Sequence, residues 1–402
     1  MPLLAALLLP LALAAGADPS SPLQLPEPAL ALRVVSQSAG PVIDTLATPG
    51  TEDNANGFEG GRAVKQGGRY YYFAAEMFAQ PLDANMRVAL WSAAQPEGPW
   101  RRERTLQQSN QSYPLRTFTQ QCNQPYCAWK GAVRNAFVMQ MVYDCDPDDL
   151  LASPWAPFPV FDEGEEAWHV VFVSYMCDGT WFVAVGGGNI FGAVSTVKGR
   201  DGIAGPYETY GIVLGPNATE PAKRWGNVSH YSGQYVDQLA PFALPDGRVA
   251  AFLGENHLLA TASSPRGPWA VEEGSGAAGL AAIGTNSSAY NENPVVSTVK
   301  SATGSVVYVA VFDTVYSEHA GFGMSTSRDG LHWSKGTDVT LPGGCRTPLG
   351  VIDEGDGFAT MLFTRRYTDC RNRTALPPNG ADAILPTSCG NVHAARLKVV
   401  FV

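Results

Sequence analysis

Apolar residues recur at every second position in short stretches of this chain, rich in Val, Tyr and Phe and separated by Gly-rich turns. No 3.6-residue period interrupts them, so the pattern predicts β-strands with one buried face, joined by tight turns. The stretches recur as a unit: a polar or acidic residue, an apolar strand, a Gly turn, a strongly apolar strand, a strand of small residues, and a closing Gly-Pro-Trp or Asp-Gly-x-x-Trp. One copy runs from Phe58-Glu59-Gly60-Gly61 through Tyr70-Tyr71-Tyr72-Phe73 to Gly98-Pro99-Trp100. Another runs from Asn291-Glu292-Asn293-Pro294 through Val306 to Phe312 and closes at Asp329-Gly330-Leu331-His332-Trp333.

A third copy begins at Asp237-Gln238 and closes at Gly267-Pro268-Trp269. A more diverged copy begins near Trp155-Ala156 and closes at Gly205-Pro206-Tyr207, and a last one begins at Arg346 and ends with a strand over Ala394 to Val402. Five units at a spacing of about 60 residues predict an all-β, five-bladed β-propeller with roughly four antiparallel strands per blade. The expected layout is a signal peptide over 1–17, a Pro-rich lead-in over 18–30 and one propeller domain over 31–402, with an insertion at 104–152.

The leading segment carries an apolar run from Leu3 to Ala14 followed by Ala15-Gly16-Ala17 and polar Asp18, the pattern of a cleaved secretory signal. The run is too short for a membrane span. Sequons at Asn110, Asn217, Asn227, Asn286 and Asn372 fit a secreted glycoprotein. Seven cysteines fit an oxidising compartment, with local spacing suggesting Cys122 with Cys127, Cys370 with Cys389, and Cys145 with Cys177. Cys345 is left over and is expected to be a buried free thiol. A net charge of −10 without a basic cluster argues against nucleic acid or an anionic membrane as partner. The expected state is a monomer.

In a propeller the first strand of each blade lines the axis, so residues at the starts of these strands converge. Those positions hold Glu59, Trp155 or Ala156, Asp237 with Gln238, Glu292, and Arg346. The ends of the second strands add Glu76, Tyr175, Glu255, Asp313 and Arg365. Carboxylates gathered in a half-enclosed space repel one another, so one holds a proton while another stays ionised, which is what hydrolysis of a glycosidic bond requires. Flat aromatic faces beside them suit sugar rings. Each carboxylate also has a plain alternative as a turn cap or a partner of Arg62, Arg346, Arg365 or Arg366. Asp329 to Trp333 reads as a structural Asp-box turn, and Trp100, Trp269 and Trp333 as packing between blades. The six histidines show no metal spacing, and no calcium-loop spacing supports an axial calcium, so no metal or other cofactor is expected.

Phe58-Glu59-Gly60-Gly61 with Tyr70-Tyr71-Tyr72, and the Gly-Pro-Trp closings, resemble the five-bladed propeller glycosidases of the arabinanase, invertase and levansucrase group, most of all glycoside hydrolase family 43. The resemblance implies an inverting hydrolase acting on an extracellular carbohydrate, with Glu59 as general acid, Asp237 as general base and Glu292 as the carboxylate that tunes the acid. Arg62, Glu76, Tyr175, Gln238, Glu255, Asp313 and Arg346 would then bind substrate. The sequence departs from that family at Gly61, where proline is usual, and in carrying the Glu-Gly motif in its first unit. The competing reading is a carbohydrate-binding or adhesion propeller, favoured if salt bridges neutralise Glu59 or Glu292.

Overall fold

Alternating apolar positions pair into antiparallel meanders that follow chain order. The computed structural model describes residues 28–54, 57–78, 86–108, 151–177, 189–215, 220–223, 238–253, 258–272, 291–314, 320–366 and 390–402, with 151–153, 175–177, 221, 271, 291 and 366 described by backbone only. After β1 (Leu30–Gln37), the first four-stranded unit is β2 (Gly57–Gln66), β3 (Arg69–Met77), β4 (Met86–Ala93) and β5 (Arg101–Gln108). The second is β6 (Leu151–Asp162), β7 (Ala167–Cys177), β8 (Asn189–Ser195) and β9 (Tyr207–Leu214). The third is β10 (Leu239–Ala243), β11 (Val249–Leu253), β12 (Leu258–Ala262) and β13 (Ala270–Val271). The fourth is β14 (Asn291–Lys300), β15 (Val306–Thr314), β16 (Gly321–Ser327) and β17 (Thr337–Thr340).

Two boundaries differ from the sequence reading. The start of the expected insertion at 104 falls inside β5, because Ala89 and Val88 of β4 pair with Thr105 and Gln107 beyond a bulge. The last unit, β18 (Thr347–Gly355), β19 (Phe358–Arg366) and β20 (Gly390–Phe401), takes its outer strand from the other end of the chain. There β1 pairs antiparallel with β20, from Leu30 opposite Phe401 to Gln37 opposite Ala395. Leu30 and Leu32 are buried in the main core, which makes β1 part of the last unit, with its first residue, Leu30, at the end of the expected lead-in. A single parallel bridge between Gly57 and Gly390 joins this unit to the first.

The first strands pack side by side in cyclic order, β2 on β6, β6 on β10, β10 on β14, β14 on β18 and β18 on β2. Each has a paired neighbour on one edge only within its unit, so it tolerates proline: Pro157 and Pro159 in β6, Pro241 in β10, Pro294 in β14 and Pro348 in β18. The third strands β4, β12 and β16 are buried along their whole length. Small residues make room there for aromatics: a Cβ at Gly323 would lie 2.2 Å from the Phe312 ring. Trp100, Trp269 and Trp333 are 4% exposed and close their units as core packing. The Asp329 turn is structural as well. Its Oδ1 accepts from the Leu331 and His332 amides at 2.8 Å, and Trp333 Nε1 donates to the Gly330 carbonyl at 3.0 Å. Among the described residues no helix is long and apolar enough to cross a membrane.

Candidate active site

A bulge recurs in four of the first strands. Pairing shifts between Phe58 and Gly61 in β2, Trp155 and Phe158 in β6, Glu292 and Val295 in β14, and Pro348 and Val351 in β18. Each bulge contains a residue in the left-handed region or at its border: Gly60 (φ 67), Ala156 (φ 43), Asn293 (φ 51) and Gly350 (φ 103). Bulges re-aim side chains near the end of a strand. Here Glu59 lies inside the β2 bulge, whereas Glu292 is the last paired residue before the β14 bulge.

The consequence is one polar cluster drawn from three units. Arg346, the residue before β18, donates from Nη2 to Glu59 Oε1 at 2.9 Å. Its Nη1 reaches Asp313 Oδ2 at 2.7 Å and Glu292 Oε2 at 3.3 Å. Glu292 and Asp313 are directly opposite across β14 and β15, so they share a face. Asn293 Nδ2 adds a bond to Asp313 Oδ2 at 3.0 Å, made possible by its bulged backbone. Side-chain exposure falls from 17% at Glu292 and 12% at Glu59 to 3% at Asp313.

Among the described residues three carboxylates share one guanidinium. Burial pushes the Asp313 carboxyl well above the usual carboxylate range, and repulsion from Glu292 and Glu59 adds to it against the opposing pull of Arg346 and Asn293. Asp313 Oδ1 is buried without a hydrogen-bond partner among the described residues. The arrangement therefore places a carboxyl of raised pKa beneath two more exposed ones.

The other expected site residues divide. Glu76 is opposite Phe58, one position out of register with Glu59, and so faces the other side of the sheet. It is fully buried, salt-bridged to Arg87 and Arg102, and accepts from Trp91 Nε1 at 2.6 Å. It neutralises arginines inside the first unit. Arg62 does not hold a carboxylate among the described residues. Its Nη1 donates to the Pro159 and Pro241 carbonyls at 3.2 and 3.0 Å, tying β2 to β6 and β10, and enclosure lowers its pKa to about 10. Arg365 braces the segment before β18 through the Pro342 and Gly344 carbonyls.

Gln238, just before β10, is 1% exposed, and neither its amide oxygen nor its nitrogen has a partner among the described residues. Asp237 and Glu255 lie outside the described residues, as does the side chain of Tyr175. So do the five sequons, the signal segment and every cysteine side chain of the three expected disulfides. Cys345 is a buried free thiol beside the cluster, and burial raises its pKa. Asn293 was missed by the sequence reading. Its place between Glu292 and Pro294 was the available signal, since asparagine is favoured where a bulge needs a positive φ.

No protein-family model matches the sequence, and no curated protein sequence matches it. In fold the chain is similar to the five-bladed β-propeller glycoside hydrolases. A structure described as a glycoside hydrolase aligns with a TM-score of 0.52 at 11% identity, over 91% of this chain and 92% of its own. A structure described as a complex of BT0996 and RGII aligns with a TM-score of 0.53 at 11% identity, over the same shares. The catalytic domain of a GH62 α-L-arabinofuranosidase from Coprinopsis cinerea aligns over 92% of this chain and 98% of its own, at 12% identity and a TM-score of 0.49. Identities this low carry the fold alone, and one fold hosts many chemistries.

Proposed function

We propose that this protein is a secreted glycoside hydrolase built as a five-bladed propeller, each four-stranded unit being one blade and the β1–β20 pairing closing the ring. The observation that carries this reading is the convergence of Glu59 and Glu292, near the starts of first strands, and Asp313, near the end of β15, on Arg346. Glu59 and Glu292 are exposed enough to meet a substrate, while Asp313 is their buried neighbour with a raised pKa. In this reading Glu59 donates the proton to the leaving glycosidic oxygen. Glu292, in contact with Arg346 and opposite Asp313, tunes that acid. Asp237, next to the buried Gln238, activates the attacking water, so the configuration at the anomeric carbon inverts. The chain acts as a monomer on a carbohydrate, passes through the secretory pathway, and carries glycans and disulfides.

The test is release of reducing sugar from a panel of polysaccharides and nitrophenyl glycosides by wild type, Glu59→Gln and Glu292→Gln. A fall of at least about 100-fold in either folded variant is expected, the scale of a lost general acid. A second reading has its own support, because Arg346 binds Glu59 and Glu292 together and so limits their freedom as catalysts. It makes the protein a carbohydrate-binding propeller. Glycan binding without turnover, unchanged in both variants, would select it.

A further inference from the structure

The hairpin between β6 and β7 carries a second polar cluster, at the far end of β6 from Ala156, where β6 neighbours Gly60. Asp162 Oδ1 is occupied by the turn, accepting from the Gly164 amide at 2.7 Å and the Glu165 amide at 3.2 Å. Its Oδ2 is buried and has no hydrogen-bond partner among the described residues. His169 is 0% exposed, its Nδ1 bonded to Tyr210 Oη at 3.1 Å. Its Nε2 also has no hydrogen-bond partner among the described residues, the nearest carboxylate oxygen being Glu165 Oε1 at 3.7 Å. One ligand atom each from Asp162, Glu165 and His169 lies within 4.8 Å of the others.

We propose that Asp162, Glu165 and His169 form a binding site for a divalent transition-metal ion of the zinc type. Two carboxylate oxygens and one imidazole nitrogen are a ligand set for zinc, whereas calcium takes six to eight oxygens. The two unpartnered buried atoms, Asp162 Oδ2 and His169 Nε2, are what a metal would satisfy, and leaving such atoms bare costs free energy. Tyr210 supplies the outer contact that metal-bound imidazoles need: with the Nδ1 hydrogen donated to its hydroxyl, the lone pair on Nε2 faces the carboxylates. Burial holds the imidazole neutral, with a pKa lowered to about 4 against the pull of Glu165. The site bridges two units, because Arg266 before β13 grips Glu165 through Nε at 2.6 Å and Nη2 at 3.1 Å and stacks on the Tyr210 ring 4.0 Å from its centroid. Lys198 adds a bond from Nζ to the Glu165 carbonyl at 2.8 Å. Arg266 is thus the resident cation that the metal competes with for Glu165.

The experiment is calorimetric titration of the chelator-stripped, full-length secreted protein with zinc chloride. One equivalent is expected to bind, at least tenfold more weakly in Asp162→Asn and Glu165→Gln and more tightly in Arg266→Gln, which removes the competitor. Asp162→Asn keeps the turn hydrogen bonds and is the decisive variant if another fails to fold, folding being checked by thermal unfolding of the metal-free proteins. No zinc binding by wild type, or binding unchanged in folded Asp162→Asn, overturns the site.

Discussion

At Arg346 one guanidinium meets three carboxylates, and the least exposed of them, Asp313, bears the cost of sharing. Because its folded pKa is raised above the ordinary 3.8, Asp313 favours the fold most when protonated. That contribution is fully present below pH 3.8 and is lost as pH rises through the raised folded value. Urea midpoints of wild type and Asp313→Asn, followed from acid to neutral pH, should therefore show wild type losing ground to the variant as pH rises. A constant gap would mean that Asp313 ionises freely in the fold. The carboxylates themselves were legible in the sequence because the repeat put Glu59, Glu292 and Asp313 in recurrent positions. The face that Glu76 takes was not legible, since it depends on a register that differs by one residue between β2 and β14.

At the scale of the strand, the bulge places the site. Gly61 has φ 100, and a Cβ there would lie 2.0 Å from the Phe73 carbonyl oxygen across the sheet. Gly61→Ala should therefore cost about 3 kcal/mol, from left-handed strain plus the clash, and should displace Glu59 from Arg346. Ala156 occupies the matching bulge in β6 at φ 43, so Ala156→Gly should be neutral or stabilising by up to about 1 kcal/mol. Chemical denaturation of both variants checks the pair, and equal losses would show that the two bulges do not depend on backbone strain. The prolines of the first strands were a readable sign of edge position. The bulges were readable only in part, since Gly60-Gly61 and Asn293 announce a positive φ and Ala156 does not.

Across the whole molecule, the last unit depends on a strand from the other end of the chain. Without β1, β20 would present an unpaired edge and the core would lose Leu30 and Leu32. A protein lacking residues 28–37 should fail to give a single cooperative unfolding transition and should elute as aggregates in size-exclusion chromatography, whereas retention of both properties would make β1 dispensable. By itself the sequence determined the strands, their turns and the recurrence of an antiparallel unit along the chain, because period-2 burial and turn chemistry are local. Tertiary structure decided the rest: that β1 completes the last unit, that Arg62 bonds carbonyls, that Glu76 turns inward, and that Asp162, Glu165 and His169 meet across a hairpin. Those outcomes depend on register and on contacts between residues far apart in the chain, and no local pattern encodes either.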